Sequence, residues 1–182
     1  MTALHEALAI PPALGMRRGL PPQREAGELV DVGPDMFGRP QRLAPAAAQA
    51  WQLMQAGAGE AGIELQLVSA FRSIDYQCEV IRRKLRAGRT IEDILAANAP
   101  PGFSEHHSGL AVDVATPGSR PLEEEFESTA AFAWLNAHAA SFGFRLSYPR
   151  DNRHGLMYEP WHWAYRPDAA PEPVPARNIR AV

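Results

Sequence analysis

In residues 63–71, "IELQLVSAF", apolar and polar positions alternate at first, and Ile63, Leu65 and Leu67 fall on one side. That two-residue period predicts a strand. The period then changes. In "RSIDYQCEVIRRKLRAG", Ile74, Cys78, Ile81 and Leu85 lie on one helical stripe, with Ser73 placed as N-cap and Gly88 as the stop. Upstream, "PAAAQAWQLMQA" (45–56) predicts a helix opened by Pro45, with Ala47, Trp51 and Met54 on one face and Gly57 and Gly59 ending it. Downstream, "TIEDILAANA" predicts a short helix capped by Thr90, and "GLAVDVA" a strand. Residues 121–143 predict one long helix, acidic at its start as the helix dipole favours, with Gly143 as its stop. "FRLSY" predicts a short strand, "RDNRHG" a turn, and "LMYEPWHWAY" a strand broken at Pro160. Together these elements predict an α+β fold, with helices packed around a small, mostly antiparallel sheet.

The two ends of the chain lack such periods. Residues 1–43 are rich in Pro and Gly and predict an irregular arm lying over the domain, since proline disfavours helix interiors and central strands. Residues 44–166 form the domain proper, and 167–182 a Pro- and Ala-rich tail that trails over the surface or frays. A chain of 182 residues suits one domain able to bury roughly 70% of its unfolded surface. A metal is then not needed merely to hold the fold. The net charge of −3, without a basic stripe, makes nucleic acid a poor partner. The single cysteine, Cys78, allows no intrachain disulfide and reads as a buried, inert thiol on its helix. The first residues, "MTALHEALAIPPALGMRRGL", lack the cationic start and unbroken apolar stretch of a signal peptide, and no window approaches the ~18 apolar residues of a membrane span. The sequence as it stands therefore predicts a cytoplasmic protein; a periplasmic one would need a leader preceding it. Oligomeric state is not legible in the pattern.

Candidate chemistry centres on "GFSEHHSGLAVDVA", where an aspartate sits among Leu110, Ala111, Val112, Val114 and Ala115. A carboxylate in an apolar strand is costly unless paired, and its partner could be an arginine, a hydrogen-bond network or a cation. Hydrolytic zinc sites take three His or acidic ligands and leave a fourth place open. This segment offers a histidine and an aspartate, and "YEPWHW" (158–163) supplies His162 and, three residues earlier, Glu159 as a non-ligand base. Each piece alone has a plainer reading: a packed histidine, an Asp–Arg pair, a solvated turn glutamate. Spacing alone does not choose between His106 and His107. Trp161 and Trp163 flank His162, and packing that orients the ligand is a better reading than substrate stacking. Tyr148 and Tyr158 could line a pocket or fill the core. His154 lies in a turn, His138 on a helix surface, and His5 in the arm.

The combination carries a resemblance. "SEHHSGLAVD" has the form Ser-x-His-x-x-Gly-x-Ala-x-Asp, "EPWH" the form Glu-x-x-His, and "SAFRS" precedes both. Over residues 65–165 the chain resembles the VanY-type D-alanyl-D-alanine carboxypeptidases. That zinc metallopeptidase group also holds lysostaphin-type endopeptidases and the hedgehog amino-terminal domain. The resemblance implies His106, Asp113 and His162 as zinc ligands, Glu159 as catalytic base, and Arg72 as the residue facing the scissile carbonyl or the substrate's terminal carboxylate. Ser104 and Gln77 match positions near the substrate. The motif also selects His106 over His107, which is left to cap or pack the loop.

The implied activity is zinc-dependent release of terminal D-alanine from peptidoglycan-derived peptides. The absence of an export signal in the sequence tilts the expectation toward L,D- over D,D-cleavage. Two alternatives stand beside it: an endopeptidase of the same group, and a non-catalytic zinc-containing binding module. Retention of Glu159 and Arg72 argues against the module, because binding alone needs neither.

Overall fold

The structure is a computed structural model and describes residues 1–167; the expected tail beyond Pro167 lies outside the described residues. Its centre is a four-stranded antiparallel sheet in the order β3-β4-β6-β5: β3 (Gln66–Ser69), β4 (Ala111–Ala115), β6 (His162–Tyr165) and β5 (Phe144–Leu146). The expected α+β class with an antiparallel sheet is what forms.

Alternation along the two central strands divides the molecule. Val112 and Val114 of β4 and Trp163 of β6 point into the main core. There they meet α3 (Pro45–Glu60), which contributes Ala47, Ala48, Trp51, Met54 and Ala58, and α6 (Ala130–His138), which contributes Ala131 and Leu135. With a period of two, Asp113 and His162 must then face the opposite side. They are also direct cross-strand partners in the β4–β6 register. On that side α4 (Ile74–Arg86) and α5 (Ile91–Ala96) bring Cys78, Ile81, Ile94 and Leu95 into a second apolar cluster. A third cluster joins Leu20, Ala99, Phe103, Tyr148 and Leu156. Arg72, held by Gln77 of α4, and Tyr148 of the third cluster both reach the polar face of the sheet.

Local chemistry explains most element boundaries. Ser73 Oγ accepts from Tyr76 N–H (3.0 Å) and Thr90 Oγ1 from Asp93 N–H (3.1 Å), so both expected caps form. Gly57 and Gly59 do not end α3; it runs to Glu60, and Gly57 serves packing, since a Cβ there would lie 2.9 Å from the Phe142 ring. The expected helix over 121–143 is three pieces: a 3-10 turn at Glu124–Ser128, α6, and a second 3-10 turn at Ala139–Phe142. Thr129 interrupts it in extended conformation, its Oγ1 accepting from Phe132 N–H (3.1 Å) as an N-cap. The acidic run pairs with Arg120 and Arg150 rather than with a helix dipole.

The arm is less irregular than its prolines imply. It contains α1 (Thr2–Ala7), α2 (Leu14–Arg17) and a hairpin of β1 (Val30–Pro34) with β2 (Pro40–Leu43). Pro11 and Pro12 separate the short helices, Pro21 and Pro22 lie in the irregular segment after α2, and Pro34 and Pro40 sit at strand ends of a two-stranded ribbon, where a missing N–H costs little. Leu8 and Ile10 of the arm complete the second apolar cluster. Among the described residues no helix is long and apolar enough to cross a membrane.

Candidate active site

Each wall of the site is built by a different device. The chain leaves β3 at Ser69 and delivers Ala70, Phe71 and Arg72 to the head of α4. A 3-10 turn at Glu105–Ser108 carries His106 and closes on Gly109, whose φ of 67° is left-handed. A Cβ on Gly109 would approach Ala44 N to 2.9 Å and Leu29 Cδ2 to 3.0 Å, so both conformation and space demand glycine there. Strand β4 then presents Asp113 and, beside it, β6 presents His162.

His106, Asp113 and His162 are all buried, and one ligand atom from each lies within 4.8 Å of the others. His106 Nε2 stands 3.2 Å from Asp113 Oδ2, and His162 Nδ1 stands 2.9 Å from Asp113 Oδ1. The remaining ring nitrogens are committed: His106 Nδ1–H donates to Ala70 O (2.7 Å), and His162 Nε2 meets Glu105 Oε2 (2.9 Å). Two imidazole nitrogens, each backed by an outer hydrogen bond, and one carboxylate oxygen fit zinc with a fourth position left for solvent or substrate.

His107 points elsewhere. Its Nδ1–H donates to Arg72 O (2.6 Å) and its Nε2 accepts from Gly102 N–H (3.1 Å), so it packs the loop as expected.

Electrostatics follow from burial. Burial opposes charge on Asp113, but His106 and His162 outweigh it and hold its carboxyl well below the usual range. Arg72 adds to this, with NH2 3.7 Å from Asp113 Oδ2. The acid in the apolar strand thus has an arginine and two imidazoles beside it, so two of the three partners open to it, an arginine and a cation-binding set, converge there. Burial also lowers the His106 pKa, favouring the neutral imidazole that a metal needs. For His162, burial is overcome by Asp113 and Glu105, which push its pKa up to about 10. Glu159 is buried with Oε2 3.9 Å from His162 Nδ1, and burial pushes its pKa up to about 7 despite the opposing pull of His162.

Arg72 is held by Gln77 Oε1 (2.8 Å) and Ser69 Oγ (3.4 Å). Gln77 is fully buried, and its Nε2 donates to Ala99 O (3.0 Å), so both ends of its carboxamide are in use behind Arg72. Ser104 is buried at the start of the turn, its carbonyl accepting from His107 N–H (3.0 Å). Tyr148 stacks on His162 at 4.9 Å and belongs to the third cluster. Tyr158 lies away from this cluster, under the Arg150 guanidinium at 4.1 Å. His154 Nδ1–H donates to Arg18 O (2.8 Å), joining the arm to its loop. Trp163 is buried in the main core, its Nε1–H donating to Pro160 O (3.0 Å), and Trp161 packs against that core.

One residue of the site has no forerunner in the sequence reading: Glu105. Its partners, His162 and Arg166, lie 57 and 61 positions away, and no local period marks it.

Comparisons with known proteins cover the same part of the chain. Residues 40–168 match the family model "VanY: D-alanyl-D-alanine carboxypeptidase". The chain is 36% identical over 125 residues to YodJ of Bacillus subtilis (strain 168), covering 65% of this chain and 44% of YodJ. It is 32% identical over 136 residues to the bifunctional D-Ala-D-Ala dipeptidase and D-Ala-D-Ala carboxypeptidase VanXYC of Enterococcus gallinarum, covering 68% and 66% of the two chains. It thus spans under two thirds of the length of both curated relatives. Among solved structures it is similar to the LdcB LD-carboxypeptidase (33% identity, TM-score 0.69, 80% of this chain and 71% of that one). It is also similar to a variant of the D,D-pentapeptidase VanY from a VanB-type resistance cassette in complex with Zn(II) (27%, TM-score 0.60, 80% and 82%). The family match covers every residue of the cluster, and the chain belongs to the VanY D-alanyl-D-alanine carboxypeptidase family.

Proposed function

We propose that this chain is a zinc-dependent carboxypeptidase that releases terminal D-alanine from peptidoglycan stem peptides, with the L,D bond favoured over D,D. The observation that carries the reading is the convergence of His106, Asp113 and His162 on one centre, with Glu159 and Arg72 beside it. Among the solved structures, the higher similarity to an LD-carboxypeptidase than to a D,D-pentapeptidase supports the choice of bond, while the curated D-Ala-D-Ala relatives keep D,D cleavage as the outcome to be tested against it.

His106, Asp113 and His162 would hold the metal. Bound there, zinc supplies Lewis acidity and makes a hydroxide nucleophile accessible near pH 7. Glu159 is the proton carrier. Its carboxylate adjoins the cluster, and burial raises its pKa to about 7, so it can take a proton and return it to the leaving amine near neutral pH. Arg72 is aimed by Gln77 and Ser69 toward the same centre. Its planar fork suits a terminal carboxylate, bound through two parallel hydrogen bonds, or the oxyanion developing on the attacked carbonyl. Gln77 acts on the substrate through Arg72, and Ser104 lines the approach to His106.

The test is incubation of the zinc-loaded protein with tri-, tetra- and pentapeptide stems, with products read by mass. Conversion of tetrapeptide to tripeptide plus D-alanine is the expected result. Loss of D-alanine from pentapeptide alone would reassign the bond as D,D, internal cleavage would make it an endopeptidase, and no cleavage by zinc-loaded protein would favour a binding module.

A further inference from the structure

Glu105 stands between Ser104 and the ligand His106 in sequence, yet its side chain serves the ligand on the opposite wall. Its carboxylate is only 7% exposed as a residue, and Oε2 lies 2.9 Å from His162 Nε2. The other oxygen, Oε1, pairs with Arg166 NH2. Arg166 follows β6 directly, and its backbone N–H is anchored to Gly143 O at 2.7 Å. A buried carboxylate needs such partners on both oxygens.

The consequence falls on His162. Nδ1 is 2.9 Å from Asp113 Oδ1, on the side where His106 and Asp113 converge, and Nε2 faces Glu105. An ionised carboxylate accepts hydrogen bonds and does not donate them. Without a cation Asp113 draws a proton to Nδ1 in the same way; with one bound between the ligands the ring would keep a single proton, on Nε2 where Glu105 accepts it, and offer the Nδ1 lone pair to the shared centre. Tyr148, stacked on the ring at 4.9 Å, restrains the same imidazole. Glu105 is badly placed to be a ligand or a base itself, because it reaches the Nε2 edge of the ring while the cluster lies at Nδ1.

We infer that Glu105, with Arg166 as its counter-ion, is a positioning residue that fixes the tautomer and orientation of His162 and so aims Nδ1 at the cation. The inference rests on the metal-site reading above and deepens it. One motif thereby serves both walls: Ser-Glu-His places a ligand and, one residue earlier, the support of the other ligand.

The test uses the full chain. Zinc affinity is measured by chelator competition for the parent, Glu105→Met, which keeps side-chain length but removes both acceptors, and Glu105→Gln, which keeps one acceptor oxygen. Loss of an outer-shell partner typically weakens metal binding about 10- to 100-fold. That loss is expected for Glu105→Met, with partial recovery in Glu105→Gln and a changed visible spectrum of the Co(II)-loaded Met variant. A destabilised fold with an intact site would leave that spectrum unchanged. Nitrogen-15 shifts of the zinc-loaded parent give a reading that needs no variant to fold: His162 should carry its proton on Nε2. Parent-like affinity and Co(II) spectrum in Glu105→Met, or a His162 proton on Nδ1, would overturn the inference. A parent that binds no zinc would instead sink the metal site itself.

Discussion

Glu159 and His162 are three residues apart, yet they should fail differently when altered. Glu159 is adjacent to the cluster without belonging to it. Glu159→Gln is therefore expected to keep its zinc through dialysis and to lose about 10²–10⁴ in turnover, the range a positioned acid–base contributes. Zinc content and tetrapeptide hydrolysis on the same sample check this, and parent-like turnover would remove Glu159 from the mechanism. Arg72 should separate from the metal too. Arg72→Ala is expected to retain zinc and lose activity, chiefly through a raised KM if it binds the terminal carboxylate and through kcat if it meets the oxyanion. Steady-state kinetics decides between these. The motif names His106, Asp113 and His162, which the structure brings together, because ligand chemistry restricts the residue types and the motif orders them. Glu105 was not legible, since a glutamate beside a histidine looks the same whether it is solvated or buried against a strand 57 residues away.

At the scale of elements, the β1–β2 hairpin braces the free edge of β3. Asp35, at its turn, accepts from Phe37 N–H (2.9 Å), Arg39 N–H (3.0 Å), Arg39 Nε (2.6 Å) and Gln41 Nε2 (2.9 Å). Gln41 Oε1 in turn accepts from Ala70 N–H (3.0 Å), and Ala70 O holds His106. The hairpin thus reaches His106 through two hydrogen bonds. Burial opposes the charge on Asp35, but Arg39 and the Phe37 N–H outweigh it and lower its pKa. A carboxylate depressed in the folded state stabilises above its unfolded pKa of about 3.9 and loses that contribution as pH falls through the folded value. Asp35→Asn should therefore cost about 1–3 kcal/mol near pH 7, as for loss of a buried charged acceptor. The gap to the parent should close as pH drops below about 4. Denaturant melts at pH 7 and pH 3 test this, and a gap independent of pH would refute it. The hairpin escaped the sequence reading because proline content outweighed a short period. The broken helix at 124–142 escaped for a related reason: Thr129 is as acceptable inside a helix pattern as at the cap it forms, and Phe126 is buried in the turn before it.

The whole molecule sets the rigidity of the site. The arm fixes the loop carrying the 3-10 turn from several points. His5 Nε2 lies 2.8 Å from Pro101 O, Gln23 N–H donates to Gly102 O (2.8 Å), and Ala26 N–H donates to His107 O (2.9 Å). Glu25 receives Ile74 N–H at the head of α4. With three apolar clusters supporting the walls, the fold should not depend on metal. Chelation is expected to abolish hydrolysis and leave the far-ultraviolet dichroism intact. Zinc at a thousandfold excess over Kd should add about 4 kcal/mol, on the order of 10 °C in Tm. Calorimetry with and without chelator checks both statements, and unfolding of the metal-free protein at 25 °C would contradict them.

Local pattern set the near-neighbour choices: the period that makes β3 a strand, the caps at Ser73 and Thr90, and the residue types available at His106, Asp113, His162 and Glu159. Those choices depend on neighbours a few positions away, and they survive into the fold. Tertiary structure alone decided which distant groups meet. The β4–β6 register sets Asp113 opposite His162, the hairpin reaches Ala70, and Glu105 closes on His162 and Arg166. Such pairings are set by strand register and by which buried charges must find partners, quantities that have no local period to read.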